Sequence, residues 1–190
     1  MNKTYIEEET IENVDFSEDL TENMEYEYCT FKNCNFSNCQ LTNYRFSECE
    51  FIDCNFSNAG LVDVSLQDVK FVNCKMLGLH FDDCNEFGFS ASFDRCQLNH
   101  SIFYQMKLGR TSFYHCQLHG VDFTEANLTA VPLKNCDLMH AVFINTNLEK
   151  ADFSQAINYS IDPSINKIKG AKFSLPEVVG LLDVYNIKIN

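Results

Sequence analysis

Residues 121–155 read VDFTE ANLTA VPLKN CDLMH AVFIN TNLEK ADFSQ. The third residue of every quintet is Phe or Leu, and the first is Ala, Cys, Thr or Val. A period of five is neither the 3.6 of an amphipathic helix nor the 2 of a half-buried strand. Two inward positions per five, one large and one small, suit a short extended segment followed by a corner.

The pattern extends in both directions. Centres run in steps of five from Phe31 to Phe81, and again from Phe93 to Phe153; all 24 are Phe, Leu or Met. Two residues before each centre lies a small slot, filled at 21 of 24 sites by Ala, Cys, Ser, Thr or Val; Tyr44, Leu79 and Met106 are the exceptions. The other three positions are mostly polar. A second period of 20 stacks like residues, as in Phe31, Phe51, Phe71 and Leu98, Leu118, Leu138. Four quintets therefore close one coil, and like side chains form ladders along its axis. Coils about 4.8 Å apart give the stretch 26–153 a length of roughly 30 Å.

Composition narrows the class. The chain has 190 residues, 45% hydrophobic and 13% aromatic, enough to bury a core. Its 27 acids against 14 bases leave a net charge of −13, which opposes direct nucleic-acid binding. No run of 18 apolar residues and no apolar leader is present, so neither a membrane span nor secretion is expected. The ten Cys then read as reduced thiols of a cytoplasmic chain. All of them fall in the small slot, which predicts core packing rather than a metal site or a disulfide.

The repeat breaks in three places. Residues 1–27 hold ten acids and one base and lose the phase at Thr21; an acidic, irregular first coil is expected there. Repeat coils follow over 28–81. Phe93 follows Phe81 by 12 positions rather than ten, with Glu86 where a centre belongs, so 82–92 reads as a loop on one face. Phe87 and Phe89 either pack back on the coils or meet a partner. Coils resume over 93–173. Residues 174–190 then form a capping or dimerisation segment. Ser174 is placed to N-cap a helix with Glu177 three residues on. Val178, Val179, Leu181, Leu182 and Tyr185 form its apolar face, and Ile187 and Ile189 alternate as a short strand.

No catalytic residue, metal set or cofactor motif emerges. The five His are dispersed; His115 and His119 flank a corner, with no acid or Cys expected to face out beside them, and no phosphate-binding glycine loop or nucleophile elbow occurs. An enzyme is not expected.

The quintets ADFSQ (151–155), ANLTA (126–130), CDLMH (136–140) and TNLEK (146–150) resemble the pentapeptide-repeat family, over roughly residues 24–173. The resemblance implies an all-β solenoid, a right-handed quadrilateral β-helix with one quintet per face. VKFVNCKMLGLHF (69–81) and NYSIDPSINKIKGAKFSLPEVVGLLD (158–183) resemble the members conferring albicidin immunity; IDPSIN (161–166) also resembles the microcin-immunity members. With the quinolone-protection (Qnr) proteins, that group acts on type II topoisomerases. The resemblance implies a DNA mimic that occupies DNA gyrase as a homodimer joined at its C-terminal ends, through Val178, Leu181, Leu182, Tyr185, Ile187 and Ile189. Asp82, Asp83, Glu86, Phe87 and Phe89 are the candidate partner contacts. The alternative is a general interaction scaffold with no topoisomerase role.

Overall fold

The computed structural model describes residues 4–17 and 23–189. They form a right-handed quadrilateral β-helix of about eight turns, in which every sheet is parallel. The first face carries β1 (Thr4–Glu7), β3 (Met24–Glu27), β5 (Arg45–Ser47) and β7 (Ser65–Gln67), in that order. The second carries β2 (Thr10–Glu12), β4 (Thr30–Lys32), β6 (Glu50–Ile52), β8 (Val69–Val72), β9 (Ala91–Asp94), β10 (Ser112–Tyr114) and β11 (Leu133–Lys134). Beyond these, β12 (Asp152–Phe153) pairs with β13 (Lys172–Phe173). The third and fourth faces are ladders of single bridges, such as Asn35↔Asn55 and Ile102↔Asp122.

Register reproduces the sequence periods. Phe31 pairs with Phe51 and Phe51 with Phe71, each 20 apart; Phe71 pairs with Phe93, 22 apart, which absorbs the two-residue insertion. Equivalent rings stack, with centroids 4.6 Å apart for Phe31–Phe51 and 5.3 Å for Phe71–Phe93. Rings from adjacent faces meet edge-on, as Phe51 and Phe56 do at 5.1 Å and 83°. Offset stacks along the axis and T-shaped contacts across it are the two favourable geometries for aromatic quadrupoles. A crevice of about 10 Å³ lies among Leu41, Phe46 and Phe51 and their neighbours, so the core there is closely filled.

Corners explain the polar positions. The residue two past 22 of the 24 centres has φ near +55°, as in Asn38 (58°), Asn58 (57°) and Asp63 (55°); Asp83 and Arg110 are the exceptions. Asn and Asp tolerate this left-handed region better than other L-residues. At many corners the next amide bonds back to the centre's carbonyl, as Cys39 N to Phe36 O (3.2 Å) and Val64 N to Leu61 O (3.0 Å). Positive φ at the third residue with this bond is the type II turn pattern.

All ten Cys are buried and unbridged. The thiols of Cys29, Cys34, Cys49, Cys54, Cys74, Cys96 and Cys116 donate to main-chain carbonyls of the same coil and the coil before; Cys54 Sγ lies 3.3 Å from Ile52 O and 3.5 Å from Phe31 O.

The ends depart from expectation in detail. The acidic start is regular where described: β1 registers on β3 and β2 on β4, with Ile6, Ile11 and Phe16 packed against the core. Thr21 lies outside the described residues. At the other end the helical segment is two 3₁₀ turns, Glu177–Leu181 and Asp183–Tyr185, rather than one α-helix. Ser174 does not cap it; its hydroxyl accepts the Gln155 amide at 3.1 Å, and Pro176 holds the N-terminal position. Gly180 packs its backbone on Tyr159, and Ile161, two residues further on, donates N–H to Gly180 O at 3.0 Å. Ile187 and Ile189 form no strand, in contrast to the short strand expected of them.

Candidate functional site

The 82–92 interruption interrupts the ladder of the first face. A 3₁₀ turn, Phe81–Asp83, leads into it. Cys84 still fills the small slot, and its amide bonds back to Phe81 O at 3.0 Å. The centre that Glu86 vacates is supplied by Phe89, 5% exposed and edge-on to Phe81 at 6.5 Å. Phe87 points outward and is 83% exposed. The two phenylalanines therefore have opposite roles: Phe89 anchors the loop and Phe87 displays an aromatic ring. Glu86 and Asp83 are exposed, and Asp82 is partly covered.

The loop is held at both ends. Asn85 N donates to Val64 O (2.9 Å) and Ser90 N to Leu66 O (3.0 Å). Asn85 Oδ1 accepts Phe87 N at 2.9 Å, and Gln67 Nε2 reaches Phe87 O at 3.4 Å. Ser90 Oγ donates to Asp68 Oδ1 at 2.7 Å, and Arg110 Nη2 forks onto both Asp68 oxygens at 2.9 and 3.1 Å. The Ser90 hydroxyl, and after it the Arg110 charge, hold the Asp68 carboxyl below its usual range against the opposing effect of burial. Gly88, at φ +74°, permits the chain reversal. Burial pushes the Asp82 carboxyl up, with the His80 ring 3.5 Å away partly opposing it.

Charge is unevenly distributed. Residues 1–93 contain 18 acids and 5 bases, and residues 94–190 contain 9 of each, so the whole excess of −13 belongs to the N-terminal half. Glu7, Glu25 and Glu27 lie on its first face, Glu12 and Glu50 on its second, and Glu8 and Glu48 on the corner between. Tyr5 and Tyr28 hydroxyls donate to Glu27 and Glu48, at 2.7 and 3.1 Å, and fix those carboxylates.

The C-terminal end carries exposed apolar groups. Leu182 is 39% exposed, Tyr185 61%, and Ile187 and Ile189 each 56%. Val178 and Leu181, placed on the same face by the sequence, are partly buried instead, with Leu181 packed on the core.

Acids do stand beside the His that sequence spacing left alone. Successive coils bring Asp94 to 3.3 Å from His115 and Asp137 to 2.8 Å from His119. A separation of 18 to 21 residues hides such pairs from any local motif. Among the described residues, no cluster of three or more His, Cys, Asp or Glu could hold a metal, and no helix is long and apolar enough to cross a membrane.

Comparisons with known proteins agree with the fold. One family profile, for pentapeptide repeats in nine copies, matches residues 26–70, and another, for the pentapeptide repeat region, matches 89–159. Together they cover more than half of the chain. No curated protein matches in sequence. Among solved structures, a trypsin-treated variant of QnrB1, a plasmid-mediated fluoroquinolone resistance protein, superposes with a TM-score of 0.55 at 20% identity, covering 98% of this chain and 91% of that one. HetL, a pentapeptide repeat protein involved in heterocyst differentiation regulation from the cyanobacterium Nostoc sp. strain PCC 7120, gives 0.52 at 18% identity, covering 88% and 84%. With its quintets, its square coils and both profiles in agreement, this chain belongs to the pentapeptide-repeat family.

Proposed function

We propose that this chain is a non-enzymatic, DNA-mimic-like protein that binds a type II topoisomerase, DNA gyrase, and protects it from a poisoning drug or toxin. The observation that carries this reading is a rigid, solid-cored rod with a net charge of −13. Such a rod presents fixed carboxylates to a positively charged groove without an ordering cost. The QnrB1 likeness supports the choice of partner, as does the resemblance of residues 158–183 to topoisomerase-protecting members. Leu182, Tyr185, Ile187 and Ile189, exposed at one end, support a homodimer joined there, with the partly buried Val178 and Leu181 beneath them. Asp82, Asp83, Glu86 and Phe87 are the contacting residues of the loop, and Phe89 positions them.

A gyrase supercoiling and cleavage assay, with the protein titrated in the presence of albicidin or a fluoroquinolone, tests the reading. Restored supercoiling with fewer cleaved complexes is expected. Inhibition without rescue would leave a mimic with no protective role, and no effect at micromolar protein would overturn the assignment. The second reading, a general interaction scaffold, is favoured by the confinement of the charge to residues 1–93. It predicts capture of a basic partner other than a topoisomerase by that half of the rod.

A further inference from the structure

A groove of about 720 Å³ runs along the first face between the N-terminal coils and the loop. That volume is within the range of ligand-binding clefts, roughly 300–1,000 Å³. Corner residues Asn23, Asn43 and Asp63 form one wall, Arg45 and Ser65 the floor, and Phe87 the far end. The walls belong to successive coils, so the groove follows the rod axis.

Arg45 is the unusual member. The chain has three arginines, and two are held by carboxylates: Arg95 by Asp94 at 2.8 Å and Arg110 by Asp68 at 2.9 Å. Arg45 has no such partner within 4.0 Å among the described residues, although it belongs to the acidic half of the molecule. Of the four amides that line the groove, Gln67 and Asn85 bond to Phe87, whereas Asn23 and Asn43 are uncommitted among the described residues. On the third face, Asn55 donates to Asn35 and Asn35 to Asp15, so stacked side chains satisfy one another. In the groove, the side chains of Asn23, Asn43 and Ser65 make no hydrogen bond within the described residues.

These groups fit one kind of ligand. A primary amide offers donor and acceptor together, as a peptide backbone requires. An unpaired guanidinium takes a carboxylate, and an exposed ring takes an apolar side chain. Two coils separate Arg45 from Phe87, about 10 Å at the spacing of paired strands. In a polyproline-II chain, side chains three residues apart share a face and lie about 9 Å apart. Glu25 and Glu27, one coil below Arg45, disfavour a second negative charge on the occupant.

We infer that this groove binds an extended, polyproline-II-like segment of a partner polypeptide, with an acidic side chain on Arg45 and an apolar side chain three residues away against Phe87. The occupant need not come from a topoisomerase, and failure here would leave gyrase protection untouched.

The full chain, labelled with ¹⁵N, is titrated with the blocked hexapeptide Ala-Glu-Ala-Ala-Phe-Ala and with its reverse. Saturable amide shifts centred on Arg45, Ser65, Gln67 and Phe87 are expected with one of the two, and the successful peptide gives the chain direction. Replacing Glu by Gln in the peptide, or Arg45→Gln in the protein, is expected to weaken binding about tenfold, as loss of a charge-assisted bond does. Arg45 is exposed, so the variant keeps its melting transition. Three results would overturn the inference: no saturation by roughly 10 mM of either peptide, equal binding of the Gln peptide, or tighter binding of a Lys peptide.

Discussion

Gly180 touches Tyr159 so closely that a β-carbon on Gly180 would overlap the Tyr159 carbonyl oxygen. The contact docks the C-terminal 3₁₀ turn onto the last coil, together with the bond from Ile161 N to Gly180 O. Backbone is the obstacle, so no rotamer change relieves it. Gly180→Ala is expected to displace the cap and cost about 1–3 kcal/mol, in the range of overpacked sites. Urea denaturation of the two proteins measures the difference.

Leu181 and Leu182 are neighbours with different duties. Leu181 packs on the core and Leu182 faces outward. Leu182→Asp should give a folded monomer with an unchanged melting midpoint, because a charge there opposes only the joint. Leu181→Asp should lower the midpoint as well. Sedimentation velocity with thermal melting separates the two; a Leu182→Asp protein that stays dimeric would refute the proposed joint.

The loop can be tested without destroying it. Phe89 and Ala91 are buried, so deleting the segment would open the core. Phe87→Ala removes only an exposed ring. It should leave stability within about 0.5 kcal/mol, as surface substitutions do. Gyrase protection should fall, and full protection would exclude Phe87 from the contact.

Acid should release the loop before it unfolds the rod. Asp68 titrates below its ordinary value, held first by Ser90 and then by Arg110. A depressed folded-state pKa contributes stability that is present above the unfolded value, about 3.9, and is lost as pH falls through the folded value. Amide exchange at Phe87–Ser90 should therefore accelerate on descending through that window. Asp68→Asn should remove most of that pH dependence.

Thiol chemistry reports on the core. Every Cys is buried, and burial pushes the Cys49 thiol up to about 12. Thiolate is the reactive form, so the native protein should react with an aromatic disulfide reagent at a negligible rate. In denaturant all ten thiols should react. Rapid reaction of several thiols in native buffer would mean that the coils open locally.

Residues that repeat at 5 and 20 determined the coil, its ladders and the fate of every Cys, because each quintet solves the same local problem of one large and one small inward side chain. The insertion at 82–92 was equally legible as a step of 12, rather than ten, from Phe81 to Phe93. Its direction was not: Phe87 and Phe89 are alike in sequence, and only the vacancy beside Phe81 draws one ring inward. The clamp from Asp68 to Arg110 spans 42 residues, a distance that two coils bring within hydrogen-bond reach. The apolar run after Ser174 has the composition of an α-helix, yet the approach of Gly180 to Tyr159 and the Gln155 bond to Ser174 leave it as 3₁₀ turns. Inward period is written in one dimension and survives translation into the fold. Contacts between coils depend on which backbones approach, and that was decided only when the chain had wound.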